Sequence, residues 1–246
     1  MRNVDALVIS LKEHYDPRSL IGAGEALEGV PFDLRYVGLR FDLPPLQRVL
    51  RDLQGFSGVV FVVTNPVDLL TVLVTRALRE ATVFGLGCTL DTARFQVIVS
   101  EALGVGLSRL CLPLGGLHGG QLVPLESLWK YPERVRGPLR EVREACLERS
   151  KSIGVEIVRK QGFTLEDCAF VFAENIAAFL SVSGSTRVAE MATAMGRGAC
   201  GRPFELRGRG RASAVDVSSS AEREALERCS AEIVGVYNAV RRLGLW

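Results

Sequence analysis

Apolar positions in this chain come in two rhythms. Short unbroken runs at residues 4–10 (VDALVIS), 57–66 (SGVVFVVTNP) and 81–87 (ATVFGLG) read as buried strands, the second stopped by Asn-Pro. Between and after them, a period near 3.6 predicts helices at 46–54, 67–80 and 91–104, the last closed by Gly104. A further strand is expected at 109–114, a helix over 132–153, and a long helix at 165–181. Residues 204–217 read as a hairpin around a Gly-Arg-Gly turn. Ser219 and Glu222 have capping-box spacing at the start of a final helix. Residues 16–45 are broken by Gly and Pro, and a strand at 32–39 is the one element they offer.

Strands alternating with helices in the first half imply a parallel sheet, and the second half is mixed. At 246 residues the chain can bury one large core or two small ones. Composition is that of an ordinary globular protein, 48% hydrophobic and 24% charged. The net charge of +2 gives no global case for nucleic acid or an anionic membrane. The Arg-Gly-Arg-Gly-Arg stretch at 207–211 reads as solvated charge on a turn, because no stacking aromatic lies beside it. No apolar run reaches the roughly 18–20 residues of a membrane span. Six cysteines lack C-x-x-C or metal spacing, so they read as reduced thiols and the cytoplasm is the expected compartment.

Three local features could carry chemistry. Asn65 ends an apolar strand, where open parallel sheets bind ligands, although Asn-Pro is also a plain turn. Asp91 and Arg94, three apart at a helix start, share a face. Exposed, such a pair contributes a few tenths of a kcal/mol at most. Facing a cleft, the carboxylate could orient an imidazole and the guanidinium could clamp a carboxylate. His118, one of two histidines, stands between glycine pairs in LPLGGLHGGQLVPL. Held by Asp91 on one ring nitrogen, it could exchange a proton through the other.

Together, VVTNPVDLLT, GLGCTLDTARF and LGGLHGGQLVPL, in this order, resemble the lactate/malate dehydrogenase superfamily. EIVRKQGFT and the closing AEREALERCSAEIVGVY are similar to it too, so the resemblance runs from about residue 57 to the C-terminus. It implies a truncated doubly wound, Rossmann-like parallel sheet over 1–87, followed by a mixed α+β catalytic domain over 88–246. It further implies that His118 is the proton donor and acceptor on a 2-hydroxyl or 2-keto oxygen, Asp91 its orienting partner, and Arg94 the anchor of the substrate carboxylate. Asn65 would bond the reacting oxygen and the nicotinamide side of the cofactor, and Thr164 would line the pocket. GLRFDL resembles the segment with the mobile-loop arginine, so Arg40 would polarise the carbonyl. The family's His-Gly-Asp is His118-Gly119-Gly120 here, followed by Gln121.

The front of the chain departs from the family. VDALVIS resembles the family's fourth strand, and IGAGEALEGVP (21–31) lacks the strand–turn–helix context of a dinucleotide fingerprint. The cofactor implied is therefore NAD or NADP, or none if the dinucleotide half is lost. The leading expectation is an oxidoreductase-like protein binding a small 2-oxo or 2-hydroxy carboxylate. The alternatives are a non-redox enzyme that enolises, cyclises, eliminates or decarboxylates, and a non-catalytic paralogue. No nucleic-acid, membrane or metal partner is expected. Residues 4–10 would be an apolar sheet edge, so either residues 32–39 or a second copy in a homo-oligomer should cover it.

Overall fold

The computed structural model describes residues 5–11, 36, 38–161, 166–182 and 187–246. One eight-stranded sheet runs through it, in the order β1-β2-β3-β6-β7-β4-β5, with β8 on the free part of the β7 edge. The strands are β1 (Ala6–Ile9), β2 (Val59–Val62), β3 (Thr82–Gly85), β4 (Leu114–Gly116), β5 (Leu122–Pro124), β6 (Arg187–Met195), β7 (Gly198–Leu206) and β8 (Ala212–Ala214). The helices are α1 (Leu39–Asp52), α2 (Val67–Ala77), α3 (Cys88–Leu103), α4 (Arg136–Gln161), α5 (Glu166–Leu180) and α6 (Ser220–Arg242).

Strands β1, β2 and β3 are parallel, with Leu7 opposite Val60 and Val60 opposite Val83. Central β2 has helices over both faces, which is why VVFV is apolar without interruption. Its alternation is nonetheless visible in the packing. Val60 and Val62 face a core built with α1, α2 and α6, whereas Phe61 joins Phe84, Phe179 and Met191 on the other side. The Phe61 and Phe179 rings meet edge to face at 5.3 Å. From β3 onward the sheet is antiparallel, joined by the single pairing of Gly85 with Ala192.

Several boundaries differ from the pattern reading. Helix α1 begins at Leu39, seven residues earlier than expected, and runs through Pro44 and Pro45. Its buried Leu39, Leu43, Leu46 and Leu50 hold the helix across two missing N–H donors. Residues 36 and 38–39 are turn and helix start, so the expected strand at 32–39 does not extend there, and its remaining positions are outside the described residues. Among the described residues no strand pairs with the outer edge of β1, where Val8 is 49% exposed.

The strand expected at 109–114 shrinks to Leu114–Gly116. At and before its start, two N–H groups go to side chains of α3, Leu112 N to Gln96 Oε1 at 2.8 Å and Leu114 N to Thr92 Oγ1 at 3.0 Å, while Cys111 forms an isolated antiparallel bridge with Lys130. Helix α4 continues to Gln161, past the expected end at 153. The long strand β6 has no counterpart in the pattern reading, because its alternation is built from small side chains such as Ala189, Ala192 and Ala194. The capping box at α6 is half made. Ser219 Oγ accepts the Glu222 N–H, while the Glu222 carboxylate accepts the Ser127 N–H at 3.0 Å and its hydroxyl at 2.6 Å.

Candidate active site

The histidine corner is a tight turn between β4 and β5. Leu117 N donates to Gln121 O, Gly120 N donates to Leu117 O, and Gly119 takes φ +64 between them. A glycine serves here because the left-handed region strains any side chain. Gln121 Nε2 ties the corner to Glu232 on α6 at 2.5 Å.

His118 is held from two helices. Its Nδ1 lies 2.8 Å from Asp91 Oδ2, and the same oxygen accepts the Gly119 N–H at 3.1 Å. Asp91 stands in the first turn of α3 with 1% of its side chain exposed, against 12% for His118. A carboxylate can only accept, so Nδ1 carries the proton toward Asp91, and Nε2 is the ring's second proton-exchanging position. The backbone N–H of His118 donates to Asp68 Oδ2 at 3.0 Å, from the first turn of α2. Gly87 makes the approach possible: a Cβ there would lie 2.5 Å from both His118 Cβ and Val67 Cγ1. Next to Gly87, Cys88 donates its thiol to Gly116 O at 3.2 Å. Burial and then the nearby Asp68 and Asp91 carboxylates push that thiol well above its usual range, so it stays neutral.

Arg94 follows Asp91 by one turn on α3 and is half-buried, its Nη1 only 2.9 Å from where a Cβ on Gly154 of α4 would sit. Asn65 is exposed beyond the end of β2, joined to Pro66 by a cis peptide, three residues before Asp68. Arg40 is exposed in the first turn of α1. Thr164 lies outside the described residues. His118 and Asp91 are thus in direct contact, Arg94 shares the helix of Asp91, and Asn65 precedes the helix whose Asp68 holds the histidine backbone.

Sequence reasoning passed over Asp68, Gly87 and Glu190. The carboxylate in Asn65-Pro66-Val67-Asp68 was a usable signal, since an acid in a first helical turn is well placed to accept backbone donors. Glu190, in the middle of β6, is buried to 3% exposure; burial pushes its carboxyl up to about 8, against the pull of the Thr92 hydroxyl. Nothing in its local sequence marks it.

A dinucleotide fits this surface only in part. The nicotinamide end would have the carboxyl ends of β1 to β3 and the exposed Asn65 amide. A pyrophosphate needs glycine space at a strand-to-helix turn. Gly85 ends β3 and Gly87 stands in the turn to α3, but both Cβ positions are filled: Gly85 by Thr71 Oγ1 at 2.4 Å, Gly87 by His118. Neither glycine at that strand-to-helix junction leaves a cradle for phosphate. No group of three His, Cys, Asp or Glu there could hold a metal, and no described helix is long and apolar enough to cross a membrane.

No family model matches the chain. It is 31% identical over 193 residues to a malate dehydrogenase of Chlorobium chlorochromatii, covering 72% of this chain and 61% of that protein. It is 34% identical over 113 residues to an L-2-hydroxycarboxylate dehydrogenase (NAD(P)(+)) of Methanocaldococcus jannaschii, covering 42% of this chain and 35% of the relative. The chain therefore spans about three-fifths of the first of these relatives and about a third of the second. Among solved structures, a lactate dehydrogenase from a Medee basin deep-sea metagenome superposes with a TM-score of 0.77 at 17% identity, over 98% of this chain and 78% of that one. Malate dehydrogenase from Plasmodium falciparum gives 0.75 at 15% identity, over 98% and 77%.

Proposed function

Since the chain belongs to the lactate/malate dehydrogenase superfamily, we propose that it is a dehydrogenase-like protein that binds a small 2-oxo or 2-hydroxy carboxylate and moves a proton at its C2 oxygen through His118. The observation that carries this reading is the 2.8 Å contact between His118 Nδ1 and the buried Asp91 carboxylate. A buried carboxylate on Nδ1 fixes the orientation of the ring and its tautomer. His118 Nε2 then gives its proton to a 2-keto oxygen as that oxygen gains charge, and takes one from a 2-hydroxyl in reverse.

Two carboxylates beneath one imidazole make the pocket floor negative, so an anionic substrate needs a cation to enter. Arg94 supplies it, as a two-pronged donor to the C1 carboxylate. The Asn65 amide bonds the reacting oxygen, and Arg40 and Thr164 complete the set as carbonyl polariser and pocket wall. A nicotinamide dinucleotide, named for the Methanocaldococcus jannaschii relative, would supply the hydride with its nicotinamide end against Asn65. The boundary near residue 87 then separates the strands beneath that end from the helix that carries Asp91 and Arg94.

Replacing His118 by Asn keeps the ring site polar but removes proton transfer. Reduction of pyruvate or oxaloacetate by NADH should fall by at least about 100-fold, with a melting temperature within a few degrees of the parent. Full turnover in that variant would end the proposal. So would calorimetry showing no NADH or NADPH binding at millimolar concentration, as far as the redox step is concerned.

A further inference from the structure

Gly154 stands inside the 26-residue helix α4, half-buried, in ordinary helical backbone. Nothing about its conformation asks for glycine, and in a helix interior glycine is worse than alanine. Its surroundings are unusual in one respect. The three atoms nearest to a Cβ built there all belong to one group, the Arg94 guanidinium: Nη1 at 2.9 Å, Cζ at 3.7 Å and Nη2 at 3.9 Å. Gly137, near the start of the same helix, meets nothing within 4 Å.

We infer that Gly154 is a positioning residue for Arg94: the missing side chain leaves room for the guanidinium against α4, which sets where it can stand for a substrate carboxylate. This rests on the reading of Arg94 as the carboxylate anchor. The guanidinium is held between two helices, α3 that bears it and α4 that receives it, and these two pack closely along their lengths. A methyl group at position 154 would be too close at 2.9 Å, and the part that gives way is the far end of a flexible side chain rather than the fold. The helix keeps its place and the guanidinium moves. A bidentate pair depends on both distance and plane, so a small displacement removes one of its two hydrogen bonds.

The consequence is a variant in which stability and binding move in opposite directions. Gly154→Ala should leave the melting temperature unchanged or raised, as Gly137→Ala should, through helix propensity alone. Only Gly154→Ala should weaken binding of pyruvate and oxaloacetate, by about 10- to 100-fold, measured by calorimetry on the full chain with saturating NADH. In turnover the loss should appear in KM more than in kcat. In an Arg94→Gln background, Gly154→Ala should cost nothing further, because the two residues act through one contact.

The arms separate the two claims. If Arg94→Gln binds both acids as the parent does, the anchor reading fails and this inference with it; a parent that binds neither acid has the same result. If Arg94→Gln abolishes binding while Gly154→Ala binds like the parent, the anchor stands and the positioning role of Gly154 is overturned. A loss in Gly154→Ala matched by an equal loss of melting temperature, or repeated in full on the Arg94→Gln background, also overturns it.

Discussion

Glu190 occupies the middle of β6, next to the Thr92 hydroxyl on α3, and burial raises its carboxyl from 4.5 to about 8. Arg187 and the strand's own backbone pull the other way without cancelling the burial. Because the folded protein binds this proton more tightly than the unfolded chain, its contribution is complete below about pH 4.5 and is lost as the pH climbs through 8. The full shift corresponds to on the order of 5 kcal/mol, a large fraction of a typical folding stability. Melting temperatures from pH 5 to 9 should therefore fall for the parent. Glu190→Gln, which keeps the shape without the titration, should flatten that slope and melt higher above pH 8. An unchanged slope in the variant would assign the pH dependence to another group. The charge would also appear beside Thr92, which follows Asp91 on α3, so high pH stresses the helix turn that holds the histidine.

At the scale of elements, the β7–β8 hairpin tip is a cap for α5. Arg209 N donates to Ser181 O and Gly210 N to Phe179 O, which satisfies carbonyls that every helix leaves open at its C-terminus. Reaching them needs Gly208, Arg209 and Gly210 all at positive φ, +69, +53 and +69. Gly210→Ala should therefore destabilise by about 1–2 kcal/mol, and Arg209→Gly should be neutral or stabilising, as read by urea unfolding. The same pair of variants should alter amide exchange at the end of α5 before it changes elsewhere. This tip is the Arg-Gly-Arg-Gly-Arg stretch, and Arg207 within it pairs with Glu205 on β7. The sequence showed a turn there and could not show that the turn caps a helix thirty residues earlier. The pattern was readable wherever one element decides its own state: the VVFV strand, the helix after Asn65-Pro66, and the Gly104 stop in left-handed conformation. It failed where a distant partner decides. Helix α1 crosses two prolines because its leucines are buried, and the N–H groups of Leu112 and Leu114 go to Gln96 and Thr92 on α3 rather than to a neighbouring strand. In the site, residues were legible as motifs, but Asp68 and Gly154 matter through contacts across 50 and 60 positions, which no local spacing encodes.

For the whole molecule, the question is whether residues 1–87 and 88–246 unfold apart. The sheet passes from the parallel strands to the antiparallel ones through one paired position, Gly85 with Ala192, a thin seam if hydrogen bonds alone are considered. The core is continuous across it. Val60, Val62, Leu70 and Leu73 from the first part pack in one cluster with Leu117, Cys200, Leu226, Ile233 and Val240 from the second. Arg76 reaches from α2 to α6, where its Nη1 donates to Tyr237 Oη at 3.1 Å and its guanidinium lies over the Tyr237 ring at 4.6 Å. The histidine corner is itself such a junction, its backbone held by Asp68 from before the seam and its ring by Asp91 from after it. Separating the parts would expose that shared apolar cluster and leave the buried Asp68 carboxylate without the His118 N–H, a cost far above what one pairing position could hold together. Calorimetric unfolding should therefore show one transition, with equal calorimetric and van't Hoff enthalpies. Ile233→Ala, which removes a fully buried side chain of α6, should lower that single transition by about 2–5 kcal/mol without splitting it, although every strand of the parallel part lies elsewhere in the chain. Two resolved transitions, with only the later one sensitive to Ile233→Ala, would mean that the shared core does not couple the halves, and the site at their junction would then open whenever the weaker half does.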